Sequence, residues 1–138
     1  MEPPEKMTCP EITIRPIGFI RSPIADRDTG PCMGSEGGIV GELVVDERYR
    51  EALLGLCAGQ KVVILYWMHL AHRDTLQVYP RRDHTRPMRG VFSTRSPDRP
   101  NPIALDTVEI VEIDGMVLRV RGVDAVDGTP LLDIKSAQ

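Results

Sequence analysis

The sequence predicts an all-β protein, a small and mainly antiparallel β-barrel with one short helix. Three observations carry that expectation. Short runs rich in Val, Ile and Leu recur between turn residues, and twelve prolines and twelve glycines punctuate the 138 residues. No strand–helix–strand rhythm of the kind that builds a parallel sheet is present. Aromatic residues make up only 4% of the chain, so the core must be aliphatic. The length suits one domain with a real core. Residues 1–11 read as a flexible arm and 12–138 as a single barrel domain.

Taken in order, "ITIRPIGFIRS" (12–22) alternates like a strand, with Pro16 pushing it toward a sheet edge or a bulge. "PIADRDTGPCMGSEGG" (23–38) is a long, turn-rich loop, and loops of that length inside a compact domain often carry function. "IVGELVV" (39–45) is a strand. "DERYREALLGL" (46–56) is the helix: Asp46 can cap it, Tyr49, Leu53, Leu54 and Leu56 share a face, and Gly55 or Gly59 can end it. "KVVILYWMHL" (61–70) reads as a buried strand from its continuous apolar run. Residues 71–89 form a polar loop with a possible short strand at "LQVY". "ALDTVEIVEIDGMVLRVRGV" is the clearest hairpin, turning at Asp114-Gly115. "PLLDIK" (130–135) supplies a last strand.

The net charge of −3 argues against a generic polyanion binder, yet charge is unevenly placed. Between positions 73 and 99 lie seven arginines (73, 81, 82, 86, 89, 95 and 99) against three aspartates (74, 83 and 98). Such a strip on an acidic body can draw an anionic partner to one face, or it can be a solvated loop. Cys9, Cys32 and Cys57 form no CxxC pair, which fits a reducing cytoplasm better than a disulfide framework. The start "MEPPEKMTCPE" lacks the apolar core of a signal peptide, and "VVILYWM" is too short to span a bilayer. A soluble cytoplasmic protein is expected, with no membrane partner.

"GVFSTRSPDRPNPIALD" (90–106) raises the functional question. Its prolines exclude a central strand, so it must be an ordered bend. Ser93, Thr94 and Ser96 can bond nearby backbone and hold that bend. Arg95 and Arg99 then project from fixed stems, and a guanidinium so held suits bidentate binding of a carboxylate or phosphate. We read the segment as a wall of a small-molecule pocket with Arg95 as its anion-binding arm. The alternative is a proline-rich corner with an internal Arg–Asp pair. In "GVDAVDGTPLLDIK" (122–135), Asp124 and Asp127 flank small and apolar residues before a tight turn. They could accept hydrogen bonds from a ligand, although Asp127-Gly128 alone reads as a hairpin turn. His69 and His72 lack a third ligand, so no metal site is assigned. No GxSxG, GxGxxG or P-loop motif occurs.

Together, "IGFIRSP", "LLGL", "VVILYWMH", "RGVFSTRSPDRPNPIALDTVEI" and "VDAVDGTPLLDIK" closely resemble the TsaA/TrmO-like family, in order from about Ile17 to Lys135. That resemblance implies a compact antiparallel β-barrel that forms homodimers and binds S-adenosylmethionine. It also implies methylation of the exocyclic amine of threonylcarbamoyladenosine, beside the anticodon of tRNA. By carry-over, the cofactor pocket is lined by Met33 and Gly34, His69 and Leu70, Arg95 and Leu105, and Asp124, Ala125, Val126 and Asp127. Arg95 would take the cofactor carboxylate, Asp124 or Asp127 its ribose or ammonium, and Met33 and Leu105 its adenine faces. No general base is assigned, and the arginine strip would contact RNA phosphates. Two departures stand out. The loop "RDTGPCMGSEG" lacks the proline- and glutamine-bearing pattern of the bacterial branch, and the sequence runs "DIKSAQ" where bacterial members continue into a further domain. Any contribution of that domain to holding tRNA is expected to be absent or supplied by a dimer. The competing reading is a non-catalytic S-adenosylmethionine- or RNA-binding regulatory barrel; a third is a methyltransferase acting on something other than tRNA.

Overall fold

The computed structural model describes residues 9–27 and 38–138. Six strands close into a barrel in the order β1 (Gly18–Arg21), β2 (Val40–Val45), β7 (Val117–Arg121), β6 (Ile103–Asp114), β3 (Lys61–Trp67) and β8 (Thr129–Ser136), which pairs back with β1. Each strand is antiparallel to both neighbours. The expected all-β barrel is therefore the observed fold. Outside it sit a two-stranded ribbon, β4 (Gln77–Val78) with β5 (Arg89–Gly90). Three short 3₁₀ segments complete the described elements: η1 (Glu47–Leu53), η2 (Pro80–Arg82) and η3 (Val91–Ser93).

Period-2 alternation sends one face of each strand into the barrel. On β3, Val62, Ile64 and Tyr66 point inward and are buried, while Val63, Leu65 and Trp67 are half-buried on the outer face. Leu118 and Val120 of β7 fill the centre. The run 61–70 is thus a strand only to Trp67, and its outer side is not fully covered. Each fully buried aliphatic side chain contributes about 1.5–3 kcal/mol relative to exposure, and the interior is aliphatic apart from Tyr66.

Several expectations shift. The strand expected over 12–22 shrinks to Gly18–Arg21, because Pro16 precedes the pairing; β1 has partners on both sides and is not an edge. The helix is 3₁₀ rather than a longer amphipathic one, kinked at Tyr49, with the Asp46 carboxylate accepting from the Arg48 amide as cap. Tyr49, Leu53 and Leu56 pack on the core, but Leu54 points into solvent at 94% exposure, so the four do not share a face. The hairpin turns one residue later than expected: Asp114 pairs with Val117, leaving Gly115–Met116 as the loop. A register shift between Ile110 and Glu112 keeps inward Ile110 opposite inward Val120. Gly115, at φ +60°, supplies the positive φ at the first turn position that a II′ turn demands.

The antiparallel order sorts the connections by end. The C-terminal ends of β1, β3 and β7 and the N-terminal ends of β2, β6 and β8 meet at one mouth of the barrel. Connections 22–39, 68–102 and 122–128 therefore all emerge there. The opposite end carries η1 and the tight hairpin.

Candidate active site

Every described residue that the sequence places in a cofactor pocket lies on a connection at that mouth or, in the case of Leu105, on a strand that begins there. Their common address follows from topology alone. What the structure adds is a partly buried polar frame beneath them.

Asp106 lies on β6 in the inward phase, between Ala104 and Val108, where an aliphatic side chain would be the norm. Its Oδ2 accepts from the Tyr66 hydroxyl at 2.9 Å and from the Asp124 amide at 3.3 Å. Burial pushes the Asp106 carboxyl up from its ordinary value; the Tyr66 and Asp124 donors and the Arg95 charge pull it back only in part. Tyr66 is shifted far upward, by burial first and then by the negative charge of Asp106 and Asp124, so it stays a neutral donor. Tyr66, Asp106, Asp124 and the field of Arg95 thus form one coupled group at the mouth. A half-buried carboxylate coupled to a cation in this way is a feature that functional sites share.

The proline bend above this frame is held by one of its own arginines. Arg99 donates to the carbonyls of Val91 (2.6 Å), Thr94 (2.6 Å) and Ser96 (2.8 Å). The hydroxyls expected to hold the bend do so: Thr94 Oγ1 donates to the Val91 carbonyl and accepts from the Ser96 amide, and Ser93 Oγ donates to the Gly90 carbonyl. Arg95, by contrast, is exposed, and among the described residues its guanidinium makes no hydrogen bond or ion pair. The sequence singled out Arg95 as the anion-binding arm but gave Arg99 no separate role; in the structure Arg99 is the brace.

An Arg–Asp pair also exists in this corner, but its arginine comes from the connection after β1 and not from the bend itself. The Arg27 guanidinium clasps both Asp98 oxygens at 2.9 and 3.0 Å and donates to the Leu70 carbonyl at 3.0 Å. Asp98 also accepts from the His72 amide at 2.8 Å. Burial raises the Asp98 carboxyl, but Arg27 and His72 outweigh it and leave it below its ordinary value. Arg73 donates to the Pro100 carbonyl and to Asn101 Oδ1, and stacks over Trp67 at 5.1 Å. The connections after β1, after β3 and before β6 are thereby tied together.

Met33 and Gly34 lie outside the described residues. His69 and Leu70 follow β3 and are exposed. Leu105 is 50% exposed on the outer face, opposite Leu65, so it faces away from Asp106. Ala125 is buried in the core, and the Val126 carbonyl accepts from the Thr129 amide and hydroxyl. Asp127 Oδ1 accepts from the Ser22 amide at 3.0 Å, so one of its oxygens already closes the loop after β1. The structure brings Arg95, Asp124 and the unforeseen Tyr66 and Asp106 together; it does not bring Leu105 to the same face. Among the described residues no group of three His, Cys, Asp or Glu side chains is arranged for a metal ion.

Among the described residues, one shallow depression of about 240 Å³ lies among Arg21, Glu42, Glu112 and Arg119, and another of about 210 Å³ among Ile14, Pro16, Trp67, Pro130 and Leu132. Neither is lined by the residues listed by carry-over.

With this geometry in hand, comparison with known proteins is informative. A family model described as the tRNA-methyltransferase O N-terminal domain matches residues 19–137. One relative, a "Probable S-adenosyl-L-methionine-binding protein" of Methanothermobacter thermautotrophicus, is 47% identical over 125 residues, covering 91% of this chain and 89% of that protein. An "S-adenosyl-L-methionine-binding protein" of Archaeoglobus fulgidus is 41% identical over 122 residues, covering 88% and 86%. The crystal structure of TrmO from Pseudomonas aeruginosa superposes with a TM-score of 0.75 at 29% identity, over 93% of this chain and 56% of that one. The chain thus spans little more than half the length of that solved protein. A match across almost all of the barrel, at such identity, leaves one conclusion: the chain belongs to the tRNA-methyltransferase O N-terminal domain family.

Proposed function

We propose that the protein is an S-adenosylmethionine-dependent methyltransferase acting on tRNA, and that its target is the exocyclic amine of threonylcarbamoyladenosine beside the anticodon. The observation that carries this reading is the Tyr66–Asp106–Asp124 frame beside an Arg95 guanidinium that makes no hydrogen bond or ion pair with a described residue. The residues present fit the cofactor. It offers a carboxylate, an ammonium, a ribose diol and an apolar ring face; the mouth offers a guanidinium, carboxylates and the exposed Leu70. Arg95 would hold the carboxylate, as an exposed guanidinium on a braced bend can do bidentately. Asp124, or the second oxygen of Asp127, would accept from the ammonium or ribose. Met33, Gly34, His69 and the backbone of Ala125 and Val126 would complete the pocket, with Leu105 reaching the cofactor only from the outer face.

When bound, the sulfonium supplies an already activated methyl group. The chain's own task is to orient donor and acceptor and to exclude water. The frame serves orientation: Asp106 fixes the Asp124 amide, and Arg99 fixes the bend that carries Arg95. Excluding water from the mouth calls for a cover, and a homodimer would help to supply one. The outer face bearing Phe19, Ile103, Leu105 and Trp67 is the apolar surface such a dimer would bury. The arginine-rich ribbon would meet the phosphates of the anticodon arm.

The test is transfer of tritium from methyl-labelled S-adenosylmethionine to tRNA isolated from cells that make threonylcarbamoyladenosine but lack its methylation. Acid-precipitable label in that nucleoside supports the reading. Tight cofactor binding with no label in any RNA would make the protein a non-catalytic binding barrel, and label in another acceptor would overturn the substrate.

A further inference from the structure

Phe92 is 83% exposed in a chain that has only two phenylalanines. Leaving such a ring in water forgoes the stability that its burial would supply, and its backbone is held on both sides. Its neighbour Val91 is buried, the Val91 amide donates to the Leu76 carbonyl, and the Val91 carbonyl accepts from both Arg99 and Thr94. Ser93 Oγ closes the same turn onto Gly90. The ring is therefore presented by a braced turn.

Its surroundings indicate what it is presented to. Arg89 and Arg95 stand three residues to either side, and Arg81, Arg82 and Arg86 lie on the same ribbon. Arg86 pairs with Asp83 and the ribbon is otherwise rich in positive charge. A second copy docking face to face would bring like charges together. An occupant that is flat, apolar on its faces and anionic on its backbone satisfies both features at once, and an unstacked base of single-stranded RNA has that chemistry.

We propose that Phe92 is a stacking platform for a splayed base of the RNA substrate, positioning the strand beside Arg95. This inference rests on the reading of the protein as a tRNA methyltransferase and adds a residue to it. Stacking on one base changes affinity roughly five- to hundredfold.

The experiment measures binding of a fluorescein-labelled tRNA anticodon stem-loop by anisotropy at two or more salt concentrations. F92A, F92L and F92W are compared with the natural protein, with melting temperature and sedimentation recorded for each. F92A and F92L should bind at least fivefold more weakly, with F92W retaining affinity. The slope of log affinity against log salt should be unchanged, because the lost contact is uncharged, and S-adenosylmethionine affinity should be unchanged. If the natural protein binds the stem-loop and F92A binds within twofold of it, the platform is refuted while the tRNA reading stands. If F92L retains full affinity, the contact is not stacking. If F92A changes the sedimentation coefficient, Phe92 belongs to an interface between copies. If the natural protein binds no RNA, the tRNA reading fails and the platform with it.

Discussion

Replacing Tyr66 by Phe removes one hydroxyl from the centre of the account and almost nothing else. The ring is only 4% exposed and keeps its packing. Asp106 Oδ2 keeps only the longer contact from the Asp124 amide at 3.3 Å. A hydrogen bond to a charged, buried acceptor contributes about 1.5–3 kcal/mol, so Y66F should lose about 2 kcal/mol of stability at neutral pH. For a chain of this length that lowers the melting temperature by about 7 °C. Urea denaturation and calorimetry read both quantities. The pH dependence gives a second check. Because burial holds the Asp106 carboxyl above its unfolded value, the folded state keeps that proton to higher pH. Its contribution to stability is present in acid, below the ordinary carboxylate value of about 3.9, and is lost as pH rises through the folded value. The cost of Y66F should therefore shrink as pH falls and Asp106 becomes neutral, and D106N should abolish that trend. A Y66F protein within about 0.5 kcal/mol of the natural one at neutral pH would refute the idea that the phenol holds this carboxylate.

Three further outcomes follow from the same geometry. R99A, which removes donors from three backbone carbonyls, should cost about 2–3 kcal/mol and weaken cofactor binding as well, read by denaturation and titration calorimetry. Asp98 is held below its ordinary value, so its pairing stabilises the fold above the unfolded carboxylate range and is lost as pH falls through the folded value; R27A should remove that acid-side loss, as seen in melting curves between neutral pH and acid. In G18A the new methyl would strike the Val44 carbonyl oxygen across the β1–β2 pair, and a loss of about 2–3 kcal/mol in urea denaturation is expected.

The barrel was legible because its strands carry their own periodicity: alternation on β3 and β7, and a turn glycine at the hairpin, survive as local signals. Boundaries were less so. Nothing local says that Pro16 delays β1 until Gly18, or that a bulge beyond Ile110 moves the turn to Gly115–Met116, since both depend on partners far along the chain. Leu54 looked like a helix-face residue because an α-helical period was applied to a 3₁₀ segment. Within the site, the proline bend announced itself and Arg95 was read as its anion-binding arm, but the bracing role of Arg99 was not legible, because it depends on which carbonyls lie within reach. Asp106 and Tyr66 were missed although a signal existed: an aspartate in the inward phase of "ALDTVEI" must be buried and paired. Leu105, one residue earlier, necessarily points the other way.

The central claim is that Arg95 at the barrel mouth grips the carboxylate of the cofactor. Titration calorimetry of natural protein and R95A with S-adenosylmethionine and with its decarboxylated analogue tests it directly. The account predicts that the natural protein prefers the intact cofactor by at least tenfold, about 1.4 kcal/mol, and that R95A binds both equally at unchanged melting temperature. An R95A protein that still discriminates between the two ligands as the natural one does would contradict it.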